Sequence, residues 1–219
     1  MRDGVRQVFT SFQAKFEGSC LWMYADSKNF VTTAIGKLID RSAEDPSAVA
    51  AWAPALTLPW KNPDGSPATP ADVIAEWKLV KSRQEMTILG GGAYRAITKL
   101  RLTEADVDAI TLETATGFEA IIRKRFPEYD TWPADAQLGT LSIAWPEGPA
   151  FYLRYPKFSA AADRLDFGVC ADESAIPGGY DARNTASALC FNNAAFVLRS
   201  NSDLDQLWWP QDFSGGDPY

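Results

Sequence analysis

Histidine is absent from this 219-residue chain. Its absence removes Ser-His-Asp and Cys-His mechanisms and every His-ligated metal site. Acid–base chemistry at neutral pH is left to carboxylates, Lys, Tyr or Cys. Cysteine is scarce: Cys20, Cys170 and Cys190 show no CxxC spacing, and an odd number argues against a disulfide framework. All three read as small core residues, consistent with synthesis in a reducing compartment. No stretch approaches the ~20 apolar residues of a membrane helix, so membrane insertion is not expected. Arg2, Asp3, Arg6, Lys15 and Glu17 interrupt any apolar signal segment. The chain is therefore expected to be made in the cytoplasm, and any work outside it needs another export route.

Positive charge is also in short supply. The chain has 21 basic and 28 acidic residues, a formal net charge of −7. A phosphate-backbone binder needs a basic footprint. The one cationic run, Arg123-Lys124-Arg125, reads instead as a solvated helix end, where cations suit the dipole. Nucleic acid is not an expected partner.

What is present suits a globular protein. Hydrophobic residues make up 46% and charged residues 22%, enough apolar content to offset ordering entropy. At ~100–200 residues per domain, the chain reads as one domain, 1–219, carrying an insertion. Val5, Val8, Phe9, Phe12 and Phe16 predict an amphipathic helix over about 4–17, stopped by Gly18. Leu21–Tyr24 and Phe30–Ile35 flank the polar Asp26-Ser27-Lys28-Asn29, which predicts a β-hairpin. Residues 41–69 are proline-rich and read as irregular, apart from a short helix around Ser47–Trp52. Thr69-Pro70-Ala71-Asp72 is a helix start. Gly90-Gly91-Gly92 closes that region. Further helices are expected from Thr103 through Phe126, from Pro133 through Trp145, over about 157–171, and from Asp181 through Val197. In the tail, 200–219, Leu207-Trp208-Trp209-Pro210 is expected to pin the chain onto the body. The fold class is α+β, mostly α.

The segment from Glu17 to Leu38 carries the candidate chemistry. Glu17 ends the first helix beside Phe16, Leu21 and Trp22; desolvation by such neighbours favours the neutral acid that a proton donor requires. Asp26 falls in the hairpin turn, a hydrated setting that keeps it ionised. Thr32 adds a hydroxyl able to hold a water. A donor acid, an ionised acid and a water-holding hydroxyl are the parts of an inverting glycoside hydrolase. A helix-end Glu and a turn Asp with no chemistry would carry the same residues.

Glu17, Asp26 and Thr32 match the Glu–x8–Asp–x5–Thr pattern of phage-type lysozymes, which the segment resembles. Gly18, Tyr24 two before the Asp and Gly36 four after the Thr match as well. Three positions depart: Asn29 or Phe30 stands where a turn Gly is usual, Ala34 replaces the first Gly after the Thr, and Lys37 replaces a His. Weaker resemblance continues at Leu102–Ala105, at Pro133–Trp145 (the family's buried central helix), at Phe158–Phe167 and at Arg183-Asn184. Residues 41–95 have no clear counterpart and look like an insertion in the smaller lobe.

The resemblance implies a lysozyme-like two-lobed fold with a small β-hairpin lobe after the first helix and a helical lobe. It implies a peptidoglycan muramidase with Glu17 as acid and Asp26 and Thr32 handling water, needing no metal or organic cofactor. A lytic transglycosylase, running on the Glu alone, is the near variant; an inactive wall-binding or structural module is the competing class. Arg183, in a helix first turn where the dipole disfavours a cation, is expected to pair with Glu17, as the family's matching Arg does. Tyr24, Trp52, Trp60 and Asn193 are supporting candidates, the tryptophans as sugar-stacking faces and Asn193 as a structural or cleft amide. The implied partners are glycan strands of the cell wall. The chain also resembles lysozyme-type domains of type VI secretion effectors, which implies a secretion apparatus, a cognate immunity protein and action in the target's periplasm; a phage endolysin is the other context.

Overall fold

The structure, a computed structural model, describes residues 1–45, 47–178 and 180–212. It is mostly helical with one small antiparallel sheet of three strands. Among the described residues, no helix is long and apolar enough to cross a membrane. The chain divides into two compact units, one of residues 1–16 with 112–219, the other of residues 17–111.

The first unit is helical. Helix α1 (Asp3–Glu17) buries Val5, Phe9 and Phe12, as its stripe predicts. Helix α4 (Ala134–Glu147) has every residue from Ala134 to Ala144 buried. Burial on every side places α4 inside the core, its polar Asp135, Gln137, Thr140 and Ser142 included. It packs against α7 (Asp181–Ser200). At Gly139 a Cβ would lie 3.0 Å from the Phe191 ring and 3.2 Å from Cys190 Cβ, so the glycine sets the approach of these helices. Trp132, Phe158, Phe167 and Phe191 complete this core. Cys170 and Cys190 are buried free thiols within it, as expected; Cys20, expected in the core as well, is a free thiol only partly buried on the sheet.

The helix expected over 157–171 is two. Helix α5 (Pro156–Ala162) ends, Leu165 takes a left-handed φ of 57°, and α6 (Phe167–Asp172) begins. The Asp166 side chain accepts from Val169 N and caps α6. That local bond outcompetes a continuous helix. At α7, Tyr180 rather than Asp181 occupies the cap position.

The tail is pinned, as the aromatic cluster predicts. Asp135, fully buried, accepts from Trp208 N and Trp209 N at 2.8 and 2.9 Å. Trp209 meets Phe12 edge-on at 4.9 Å, and the Lys15 ammonium lies over the Trp209 ring at 4.4 Å. Residues 213–219 lie outside the described residues. Arg123 and Arg125 close α3 (Glu104–Arg125) in ion pairs with Asp130 and Asp163, so the cationic run is a helix end.

The second unit carries the sheet. Strand β1 (Cys20–Ala25) pairs with β2 (Val31–Ala34), and β2 with β3 (Lys37–Leu38). The hairpin was legible; the two-residue third strand was not. Helix α2 (Pro70–Lys81) packs on β1 and β2. Its start is a full capping box between Thr69 and Asp72. The short helix expected around Ser47–Trp52 is absent among the described residues there. A 3-10 turn runs instead over Ala53–Thr57, where Pro54 presets the first turn; Pro46 lies outside the described residues. The Gly90-Gly91-Gly92 triplet sits between 3-10 turns at Gln84–Leu89 and Gly91–Ala96. Both turns contact β1, so residues 41–95 return to the hairpin. Buried Glu76 anchors that return by accepting from Lys99 N and Leu100 N.

Candidate active site on the β-hairpin

The turn between β1 and β2 is built by Asp26. Asn29 N donates to Asp26 O at 2.8 Å, and Asp26 N donates to Phe30 O at 2.9 Å. Asn29 follows with a left-handed φ of 63°. This is a four-residue turn that ends in a left-handed residue, for which Asp at the first position and Asn in the left-handed region are suited. The Asp26 carboxylate locks it: Oδ1 accepts from Lys28 N at 2.9 Å and from Phe30 N at 2.8 Å. Among the described residues nothing donates to Oδ2. The turn therefore fixes the carboxylate and leaves one oxygen for solvent or substrate.

Thr32 is tied to the same peptide. Its hydroxyl donates to Phe30 O at 3.1 Å, so Phe30 reaches the Asp26 carboxylate through its N–H and Thr32 through its C=O. The Thr32 oxygen keeps lone pairs for a water, in a setting only 4% exposed. Thr32 pairs directly with Tyr24 across the ladder. Directly opposed residues project to the same face of a sheet. The Tyr24 hydroxyl is pushed well above its ordinary value, first by burial, then by the charges of Cys20, Asp26 and Glu17. That phenol therefore lies in the field of both acids. Glu17 precedes β1 and Asp26 follows it, with Tyr24 between them in the fields of both and Thr32 opposite Tyr24 on β2.

Glu17 itself is exposed. Phe16, Leu21 and Trp22 do not enclose it, contrary to the desolvation expected from their position in sequence. The reason is geometric: Gly18, at φ 72°, turns the chain sharply away after α1.

Two residues not singled out from sequence hold the turn from below. Asp40, 2% exposed, accepts from Val31 N, Ser42 N and the Lys81 ammonium, at 3.1, 2.9 and 2.8 Å. Lys81, the last residue of α2, also donates to Asn29 O at 2.6 Å and lies over the Phe30 ring. Burial presses the Asp40 carboxyl upward; the Lys81, Ser42 and Val31 donors more than reverse this and hold it below the ordinary range. The hairpin turn, β2 and α2 are thus clamped at one point.

Gly91 backs Tyr24. A Cβ there would lie 3.0 Å from Tyr24 Cδ2, 3.1 Å from Cγ and 3.3 Å from Cys20 Sγ. Gly91→Ala is expected to displace the Tyr24 ring and to lower stability by about 1–3 kcal/mol. A thermal melt checks this; an unchanged melt would refute the close packing.

The other supporting residues fall elsewhere. Trp60 is 2% exposed, with its indole N–H donating to Ala55 O, so its faces are spent on packing rather than offered to a sugar. Trp52 is half-buried, edge-on to Trp77 and beneath Lys78. Asn193 is fully buried and donates to Asp135 Oδ1 and Gln211 O, so it secures the tail instead of lining a cleft. Arg183 is 1% exposed in the helical unit; it donates to Gln13 Oε1 and Ser142 O and lies over the Phe16 ring.

A separate cavity of about 300 Å³, lined by Asn62, Asp72, Glu76, Leu79 and Lys99, offers no comparable chemistry. The Glu76 oxygens are consumed by backbone amides there. Burial raises that carboxyl. Compared with models of known families, with curated proteins and with solved structures, the chain shows no match.

Proposed function

We propose that this protein is a peptidoglycan muramidase of lysozyme-like fold, hydrolysing the linkage between N-acetylmuramic acid and N-acetylglucosamine. The observation that carries the reading is the set of groups around β1: an exposed acid at the end of α1, a turn-locked carboxylate with one open oxygen, and a fixed hydroxyl joined to it through Phe30.

The backbone supports it further. Asn29, one of the two positions (with Phe30) where the resembling family's turn glycine falls, and Ala34, where another glycine is usual, take left-handed φ values of 63° and 52°. Such values favour glycine and are uncommon for Ala. The departures in residue type thus keep the backbone that the resemblance implies. The wholly buried α4 suits the central helix of such a fold.

In this mechanism Glu17 protonates the glycosidic oxygen. Asp26, through Oδ2, draws a proton from a water that Thr32 positions, and that water attacks the anomeric carbon from the opposite face. Inversion needs about 6.5–9.5 Å between the carboxyls, room for the water. In bacterial competition or phage release, the partner is the glycan strand; a secretion apparatus and an immunity protein follow if the chain is an effector. With a net charge of −7, approach to teichoic-acid-rich walls is opposed, which favours Gram-negative sacculi as substrate.

One observation favours a second reading. Asp26 Oδ1 is committed to the turn, so Asp26 has a structural reason to exist. Chemistry resting on Glu17 alone would be that of a lytic transglycosylase. Asp26→Asn separates the two, because the amide oxygen still accepts both turn N–H groups and only the charge is lost. Dye release from labelled Gram-negative sacculi is expected to slow about 10²-fold or more for Asp26→Asn. Full retention of rate would favour the transglycosylase.

A further inference from the structure

Trp22 lies two residues before Tyr24 on β1. Its indole N–H donates to Gly91 O at 2.8 Å, and the same glycine packs on the Tyr24 ring. Two guanidiniums stand over Trp22, those of Arg95 and Arg101, each with Cζ 5.6 Å from the ring centroid.

The two arginines are not equivalent. Arg101 is fixed: Nη1 donates to Thr98 Oγ1 and Leu100 O, and Nη2 to Arg95 O and Thr98 O. Arg95 is exposed, and among the described residues its guanidinium makes no hydrogen bond or ion pair. Two cations on one ring repel each other. Burial, against the pull of Glu76 and with the push of Arg95, lowers the Arg101 guanidinium below its ordinary value. A bound anion would relieve that repulsion. A guanidinium held against an indole keeps its planar fork of N–H donors for a carboxylate.

We propose that Arg95, seated on Trp22, forms a carboxylate-recognition position beside the Glu17–Tyr24–Asp26 set, and that it selects glycan carrying free stem-peptide carboxylates. The identity of the ligand rests on the muramidase reading; the anion site does not. The residues 41–95 that look like an insertion supply Arg95 and Gly91, which gives that segment a role in substrate choice. The position is specificity-determining and takes no part in bond cleavage.

The test is direct binding, by titration calorimetry, of three probes: a disaccharide–tetrapeptide with free carboxyls, its carboxyl-amidated form, and the free tetrapeptide. Wild type is expected to bind the free-carboxyl disaccharide–tetrapeptide about tenfold or more tighter than the amidated form, the size of one charge-assisted contact. Arg95→Ala should erase that difference and Arg95→Lys should restore part of it. The difference should shrink as salt rises. Equal binding of both forms by wild type, or a difference that persists in Arg95→Ala, overturns the proposal; sacculus cleavage alongside either result leaves the muramidase reading standing. Arg95-dependent binding of the free tetrapeptide without any sacculus cleavage keeps the anion site and removes the muramidase reading.

Discussion

Glu17→Gln is expected to lower the rate on Gram-negative sacculi by about 10²–10⁴-fold, the contribution of a positioned general acid. The change removes one ionisable proton and keeps nearly the same shape. Because Glu17 is exposed, the substitution should leave the fold intact. Its position sharpens the argument. Glu17 is the last residue of α1, where the helix dipole disfavours a negative charge by a few tenths of a kcal/mol. A purely structural residue there would be better as Gln, Lys or Arg. In the proposed mechanism, the acid at that helix end, near a tyrosine that also feels Asp26, is kept for what it does to a substrate. Rate and thermal midpoint measured on the same preparation decide it. A full rate with an intact fold removes Glu17 from the mechanism.

The largest expected loss of stability comes from Asp40→Ala. Asp40 is 2% exposed and collects a backbone amide from β2, the backbone and hydroxyl of Ser42, and the ammonium at the end of α2. Truncation leaves Lys81 and two amides without their acceptor. Breaking a buried pair in this way costs about 3 kcal/mol or somewhat more. For a chain of this size that is roughly 6–12 °C of thermal midpoint. Activity should fall too, because Lys81 holds Asn29 O in the turn that places Asp26. Asp40 thus acts as a positioning residue.

Its charge also gives a pH signature. The folded chain holds the Asp40 carboxyl below its ordinary value. A group lowered on folding contributes stability that is complete above its unfolded value, about 3.9, and is lost as pH falls through the folded value. Glu76 and Asp135, whose carboxyls burial raises, act in the opposite sense: their contribution is complete below their unfolded values and is lost as pH rises through the folded ones. The wild-type profile sums all three. The difference between wild type and Asp40→Ala isolates Asp40, and it should be largest near neutral pH and shrink below about pH 4. A difference independent of pH would show that the Asp40 charge is not what holds the clamp.

Local chemistry made part of this molecule legible. Thr69-Pro70-Ala71-Asp72 announced α2 because a hydroxyl, a proline and an acid each satisfy a separate need of a helix start, and the capping box formed. Thr103 and Asp106 do the same for α3, each side chain bonded to the other's amide. Asp26 and Asn29 marked the turn through their own side-chain and backbone preferences. What stayed hidden was set by distant partners. Asp40 and Lys81 are far apart in sequence, and no periodicity links an acid after β3 to the last lysine of α2. Trp60 looked like an available face because sequence cannot show that its indole is aimed at Ala55. Leu165 breaks a run that reads as one helix, since the alternative depends on where Asp166 finds a donor. The exposure of Glu17 was missed for the same reason: apolar neighbours in sequence are not neighbours in space once Gly18 turns the chain.

The most direct measurement is the chemical identity of what wild-type protein releases from purified Gram-negative sacculi, read by mass spectrometry. Muropeptides with an intact reducing end are the predicted product, since the proposed mechanism has Asp26 and Thr32 activate water. Anhydro-muropeptides would contradict hydrolysis and place the chemistry on Glu17 alone. No soluble product, with sacculi still bound, would contradict the enzyme reading altogether and make the hairpin residues part of a wall-binding module.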